Sequence, residues 1–216
     1  MTTEEIAIVG VGGQGRECLD VAEAMVAAGH DLYVIGFFDD APSPANRALV
    51  EARGYSVLGT VGDSLASGVS ICLGIGDGRI RAALDMHLVD IGLDSPVLVH
   101  PHCSVGTHVR FSPGVVVFAG ARLTTNISLG RHVHVNQNVT VGHDCELEAY
   151  ATLNPQACVS GAVRIEPEAT IGASAVVLPG LTIGAGTMVG AAACVTRSTP
   201  RRSIVTGVPA RELVRP

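Results

Sequence analysis

Val133-His134-Val135-Asn136-Gln137-Asn138-Val139-Thr140-Val141-Gly142-His143-Asp144-Cys145-Glu146-Leu147 carries an aliphatic residue at every sixth place. The column extends without a slip from Val99 through Val117, Leu123, Leu129, Val135, Val141, Leu147, Leu153 and Val159 to Val195. Two places before each column residue stands a small or aliphatic one, such as Val133, Val139, Cys145, Ala151, Ala157 or Ala169. A period of six suits neither a helix nor a long alternating strand; it suits a two-sided short strand followed by a tight turn. Three such units close a triangular coil, so about a hundred residues stack into between five and six coils. The column residue and its small partner then point into the prism. Residues such as Gly106, Gly130, Asn136 and Gly142, which follow the column, are expected in the turns, where corner residues take positive φ.

Outward from this core the pattern stops near Pro96, which divides the chain into residues 1–96 and 97–216. The first part reads as a small α/β Rossmann-like unit. The apolar strand Ile6 to Val9 runs into Gly10-Val11-Gly12-Gly13-Gln14-Gly15 and then an amphipathic stretch, Arg16 to Ala28. Strand, glycine turn and helix in that order aim backbone N–H groups at a phosphate. A second strand, Leu32 to Phe38, ends in Asp39-Asp40, where nucleotide-binding units place a carboxylate. A third, Ser70 to Ile75, leads into Gly76-Asp77-Gly78-Arg79, and a helix from Arg79 to Ile91 closes the domain before a linker at Asp94-Ser95-Pro96. The glycine turn alone is weak evidence for dehydrogenase chemistry, and the unit is too short for a full dinucleotide fold.

Composition excludes several classes. The chain has no lysine, scattered arginines and a net charge of −6, so it lacks the basic stripe that nucleic-acid binding requires. Its six cysteines show no CxxC pair, and all are expected to be reduced. No apolar run is long enough to span a bilayer, and a soluble, cytoplasmic protein is expected. His100, His102 and His108 invite a metal site, but they fall in the first coil, where polar residues face water; no metal is expected.

Gly-Val-Gly-Gly-Gln-Gly, Phe37-Phe38-Asp39-Asp40, Gly142-His143-Asp144-Cys145 and Gly207-Val208-Pro209-Ala210-Arg211, set on the six-residue repeat, resemble the hexapeptide-repeat acyltransferases. Within them the match is to the subgroup of sialic-acid O-acetyltransferases and bacillosamine N-acetyltransferases, over nearly the whole chain. The resemblance implies a left-handed parallel β-helix, a homotrimer, acetyl-CoA as acyl donor and a nucleotide-linked amino sugar as acceptor. It implies that His143 is the general base with Asp144 beside it, a role for which an imidazole is suited because it titrates near neutral pH. It places acetyl-CoA along Thr152, Gly161, Ala173 and Ala191, and the acceptor along Gly12, Gly13, Gln14, Asp39, Asp40, Asp77, Gly78 and Asn136. Gln14 and Thr152 stand where the resembled enzymes commonly have histidine. The tail from Pro200 to Pro216 is expected to wrap the last coil, its Arg201, Arg202 and Arg211 meeting either the cofactor's phosphates or water. Alternatives are O-acetylation of a sugar, acylation of another small molecule, and a non-catalytic nucleotide-sugar-binding trimer.

Overall fold

The computed structural model describes residues 3–65 and 68–213; the end of the expected tail, 214–216, lies outside them. Its first part is a parallel sheet of β1 (Glu4–Val9), β2 (Leu32–Phe38), β3 (Val57–Gly59) and β4 (Ser70–Leu73), in the order β3-β2-β1-β4. Continuous apolar runs such as Ile6, Ala7, Ile8 and Val9, all buried, suit strands covered on both faces. Helices α1 (Gly13–Ala27), α2 (Pro44–Glu51), α3 (Val61–Leu65) and α4 (Gly78–Asp90) connect them. The sequence reading missed α2, β3 and α3, which share few apolar positions; α2 buries only Val50.

From Leu98 to Val195 every strand is two residues long, and each pairs in parallel with a strand three hexapeptides away: Thr140 with Cys158, Val141 with Val159. Three stacked sheets result, of eight, six and five strands. Both residues of the predicted pairs are buried, as in Val139 with Val141, Ala151 with Leu153 and Ala169 with Ile171. Small residues opposite larger ones let the faces meet at interior packing density.

Positive φ falls three places after the column residue, at Asn126, Asn138, Asp144, Tyr150 and Gln156 among others, not directly after it. The glycines that follow the column serve close approach instead. A Cβ on Gly142 would lie 2.6 Å from the Gly161 nitrogen, and one on Gly172 2.5 Å from that of Ala191. The left-handed corners are held by hydrogen bonds from coil to coil, such as Asp144 N–H to Thr125 O at 3.0 Å and Ala162 N–H to His143 O at 2.7 Å. These overcome the strain of placing residues other than glycine there.

The α/β unit sits on the eight-stranded face. Its apolar residues Cys18, Leu19 and Ala22 cluster with Leu98, Val116 and Phe118 of the prism. The segment expected as a linker is part of the structure: Asp94 O accepts from Ile71 N–H and Ser95 O from Gly114 N–H, with Ser95 and Pro96 buried. At the C-terminus Ile204–Thr206 pairs with Met188–Val189 and is then covered by the antiparallel Arg211–Glu212.

Candidate active site

His143 follows the strand Thr140–Val141 of the six-stranded sheet and precedes Glu146–Leu147 of the five-stranded one, so it stands on the edge between them. Its side chain is 64% exposed, and its Nδ1 lies 2.7 Å from Asp144 Oδ2. Asp144 can turn its carboxylate back on its neighbour because its own φ is +60°. Asn126 Nδ2 donates to the other oxygen at 3.1 Å, and the bonds from His143 and Asn126 hold the carboxyl below its ordinary range. Asp144 therefore accepts from Nδ1–H of the imidazole, leaving Nε2 as the free nitrogen. That nitrogen lies over Gly161, one coil on, where a Cβ would approach it to 2.5 Å. The Gly161 N–H makes no hydrogen bond among the described residues.

The second cleft of interest encloses about 510 Å³ at the carboxyl ends of β1, β2 and β4, lined among others by Gly12, Gly13, Gln14, Asp39 and Asp40. The two outer glycines of the turn are structural: Gly10 has φ +100°, and a Cβ on Gly15 would strike Gly10 O at 1.8 Å. Gly12 and Gly13 have nothing within 4 Å of their missing Cβ atoms and present the open first turn of α1. Asp39 spends both carboxylate oxygens on backbone, bonding Val11 N–H and Ala41 N–H, each at 2.9 Å. Asp40 uses only Oδ1, on Val61 N–H at 2.9 Å. Ile75, Ile80 and Leu84 give this cleft an apolar wall.

Gln14 joins the cleft to the prism. Its Nε2 lies 3.2 Å from His134 Nδ1 and 3.3 Å from Asn136 Oδ1. Asn136, expected beside the acceptor, is buried and anchored to Leu153 O at 2.9 Å. Burial holds the His134 imidazole well below its ordinary pKa, with the Arg81 charge adding to the effect, so the ring is neutral.

Sequence reasoning missed the groups that lock the two parts together. Arg81 on α4 is fully buried and donates to His132 O, Ile75 O, Gly76 O, Tyr150 O, Ala151 O and Thr152 Oγ1, at 2.8 to 3.2 Å. Lacking a carboxylate partner, it has its pKa lowered to about 10 by burial. One turn further on, Asp85 accepts from Arg131 (Nε at 2.8 Å), His132 Nε2 at 3.0 Å and Tyr150 OH at 2.7 Å. Burial alone would raise its pKa, yet these three bonds hold it far below the carboxylate range. Tyr150 is pushed up to about 12, by burial first and then by Asp85.

The remaining expected site residues divide. Gly161 shares the His143 edge. Ala173 and Ala191 lie on a different edge, between the eight- and six-stranded sheets, joined by Ala192 N–H to Ala173 O at 2.8 Å. Thr152 is placed in the domain interface, accepting from Arg81 and donating to Gly76 O at 3.3 Å. Asp77 caps α4 and pairs with Arg79 at 2.6 Å. Gly78 permits α4 to meet the prism, since a Cβ there would come within 2.2 Å of Tyr150 O. Within one chain, no hydrogen bond among the described residues joins His143 to the cleft. His102 and His108 are exposed and His100 half-buried, and no group of three or more metal-ligating side chains occurs among the described residues.

Residues 5–87 match the PglD N-terminal domain. The whole chain is similar to the acetyltransferase domain of PglB from Neisseria gonorrhoeae FA1090, solved in complex with acetyl coenzyme A. The two are 32% identical with a TM-score of 0.85, over 98% of this chain and 100% of that one. The chain belongs to the hexapeptide-repeat sugar acyltransferases. This acyltransferase is also similar to perosamine N-acetyltransferase from Caulobacter crescentus, at 31% identity, TM-score 0.85 and coverage of 98% and 97%. That structure is of a histidine-to-asparagine mutant in complex with CoA and GDP-perosamine. WeeI from Acinetobacter baumannii AYE follows at 28% identity, TM-score 0.84 and coverage of 98% and 100%. No curated protein matches the chain. The prism is accordingly the left-handed parallel β-helix of this family and the first part its Rossmann-like domain. No helix among the described residues is long and apolar enough to cross a membrane.

Proposed function

We propose that this enzyme transfers the acetyl group of acetyl-CoA to the amino group of a nucleotide-linked sugar, by direct attack with His143 as general base. The observation that carries the reading is the imidazole whose Nδ1 is occupied by Asp144 at 2.7 Å while Nε2 stays free above Gly161. An ammonium has no lone pair, so the acceptor nitrogen needs a base before it can attack the thioester carbonyl, a task to which an imidazole is suited. As the carbon–nitrogen bond forms, the carbonyl oxygen gains charge, and the unengaged N–H of Gly161 is the donor that could meet it. Collapse breaks the carbon–sulfur bond, the imidazolium returns its proton to the departing thiolate, and the second proton lost by the attacking nitrogen passes to solvent. Cys145, the nearest thiol in sequence, is buried, and its burial raises its pKa, which argues against a covalent acyl-enzyme.

In this reading residues 1–96 hold the nucleotide sugar: its phosphates at Gly12 and Gly13, with Asp40 toward the remainder of the nucleotide. Residues 97–216 supply the acyl-transfer chemistry. His143 with Gly161, and Ala173 with Ala191, lie on two different edges of one prism. A homotrimer would bring the edge of one copy to the cleft and second edge of its neighbour, with acetyl-CoA along the seam. Neighbouring structures with acetyl coenzyme A, and with CoA and GDP-perosamine, support both ligands, and cytoplasmic activity follows from where acetyl-CoA is found. The test is thiol release from acetyl-CoA with UDP-, GDP- and dTDP-linked amino sugars. Turnover with one of them is expected, and His143→Ala should lower kcat by about 100-fold or more while leaving the trimer folded. A mutant with near-wild-type turnover removes the base assignment.

A further inference from the structure

A single backbone carbonyl fixes the orientation of three polar side chains between the prism and the acceptor cleft, Asn136, Gln14 and His134. Leu153 O can only accept, so Asn136 must face it with Nδ2, at 2.9 Å. Asn136 Oδ1 is then turned toward Gln14, and only the amide NH₂ of Gln14 can donate to it, at 3.3 Å. The same NH₂ lies 3.2 Å from His134 Nδ1. That ring atom must accept, which puts the proton of the neutral imidazole on Nε2. Nothing else opposes this tautomer, because His134 Nε2 has no partner among the described residues. The opposite assignment would set the oxygen of Gln14 against the oxygen of Asn136. Both hydrogens of the Gln14 amide are therefore committed to the prism. Its Oε1 makes no hydrogen bond among the described residues, and the residue lines the cleft.

We infer that Gln14 is a specificity-determining residue: its Oε1 accepts an N–H of the acceptor's reacting amino group and selects nitrogen over oxygen as the nucleophile. The inference rests on the acetyl-transfer reading above. A carbonyl oxygen cannot donate, so it takes only a substituent that carries hydrogen. An amino group retains a further N–H for the base after giving one to Gln14, and its lone pair is directed away from both. A hydroxyl has one hydrogen and cannot give it to Gln14 and to His143 together. An acceptor with oxygen in place of nitrogen is thus bound in a form the base cannot use. The device is neutral throughout and leaves the charge of the amine to be set by the base.

Gln14→Leu keeps a side chain of similar size and removes the whole amide, Oε1 together with the two hydrogens given to Asn136 and His134. The KM for the amino-sugar acceptor is expected to rise about three- to tenfold, the factor for one lost hydrogen bond, with the KM for acetyl-CoA unchanged. The Ki of an analogue with hydrogen in place of the amino group should be the same in both proteins. The preference in kcat/KM for the amino sugar over its hydroxyl isostere should narrow by a similar factor. Equal weakening of the substrate and the deaminated analogue would make Gln14 a structural residue and overturn the inference, as would unchanged kinetics in Gln14→Leu where the wild-type enzyme turns over. A second measurement needs no activity: long-range ¹H–¹⁵N correlation of the His134 ring in the wild-type protein should show Nε2 protonated and Nδ1 bare. An Nδ1–H tautomer would turn the amide of Gln14 around and overturn the inference. Absence of turnover with every nucleotide amino sugar would instead overturn the functional reading and the selection built on it.

Discussion

Replacing Gly161 by alanine adds one methyl group at a point where the structure gives its consequences in ångströms. The new Cβ would lie 2.5 Å from His143 Nε2, 2.6 Å from Cε1 and 3.0 Å from Cδ2, whereas ordinary contact begins near 3.4 Å. The obstacle is a side-chain ring that is mostly exposed, so the ring and not the coil gives way, by about 0.9 Å, the difference between 3.4 and 2.5 Å. Gly161 is not among the residues with positive φ, and alanine is accepted there without backbone strain; relative to glycine it restricts the unfolded chain by about 0.4–1 kcal/mol. Stability is therefore expected to hold or rise. Catalysis is not: a misplacement of about 1 Å at a reacting group costs on the order of 100-fold in rate. Thiol release under saturating acetyl-CoA, with a thermal melt on the same sample, separates the two effects. Wild-type kcat in a Gly161→Ala protein with an unchanged melt would refute the placement of Nε2 above this glycine as the working geometry.

Two further perturbations address the other parts of the site. Asp40→Ala is expected to raise the acceptor KM with little change in acetyl-CoA affinity; calorimetry showing lost CoA affinity would contradict the division of labour between the two parts of the chain. Asp85→Asn removes the charge that Arg131 and His132 face in the interface, and about 3–5 kcal/mol of stability is expected to go with it. Because the Asp85 pKa is depressed in the folded protein, the wild-type advantage is fully present above the unfolded carboxylate pKa of about 3.9. It shrinks as pH falls below that value. Denaturant unfolding of both proteins at pH 7 and pH 3 checks this, and a gap that widened toward acid would reverse the sign.

The prism was legible because its signal is redundant: each coil repeats the same pair of interior positions, and tertiary contacts between coils obey the same period. The cleft of the α/β unit was legible in outline, since a strand ending in glycines and another ending in Asp39-Asp40 leave few arrangements open. Partners across sequence were not. Arg81 and Thr152 look like an ordinary helix arginine and a strand threonine until the α/β unit is laid on the prism, and nothing in the sequence shows that Asp39 accepts the backbone N–H groups of Val11 and Ala41. One signal went unused. The outward strand residue of the eight-stranded face reads Leu98, Val116, His134, Thr152, against Arg110, Ser128, Glu146, Arg164 on the five-stranded face. Apolar residues at outward positions mark a covered face, and that comparison excludes the five-stranded face as the seat of the first part of the chain.

That placement explains why one side chain can serve two parts of the molecule. Arg81 bonds Ile75 O and Gly76 O in the cleft wall, and His132 O, Tyr150 O and Ala151 O in the coils beneath. The cleft wall and the prism are therefore fixed to each other through a group with no slack, since all its donors are spent in the interior. Gln14 ties the opposite wall to Asn136 of the same prism. A cleft clamped on two sides to one coil stack keeps its place on the prism, and no hydrogen bond among the described residues joins it to His143 of the same chain. Under the proposed function the base would therefore come from the His143 edge of a neighbouring prism, and rigidity within the chain and a site shared between chains would be one requirement seen from two sides.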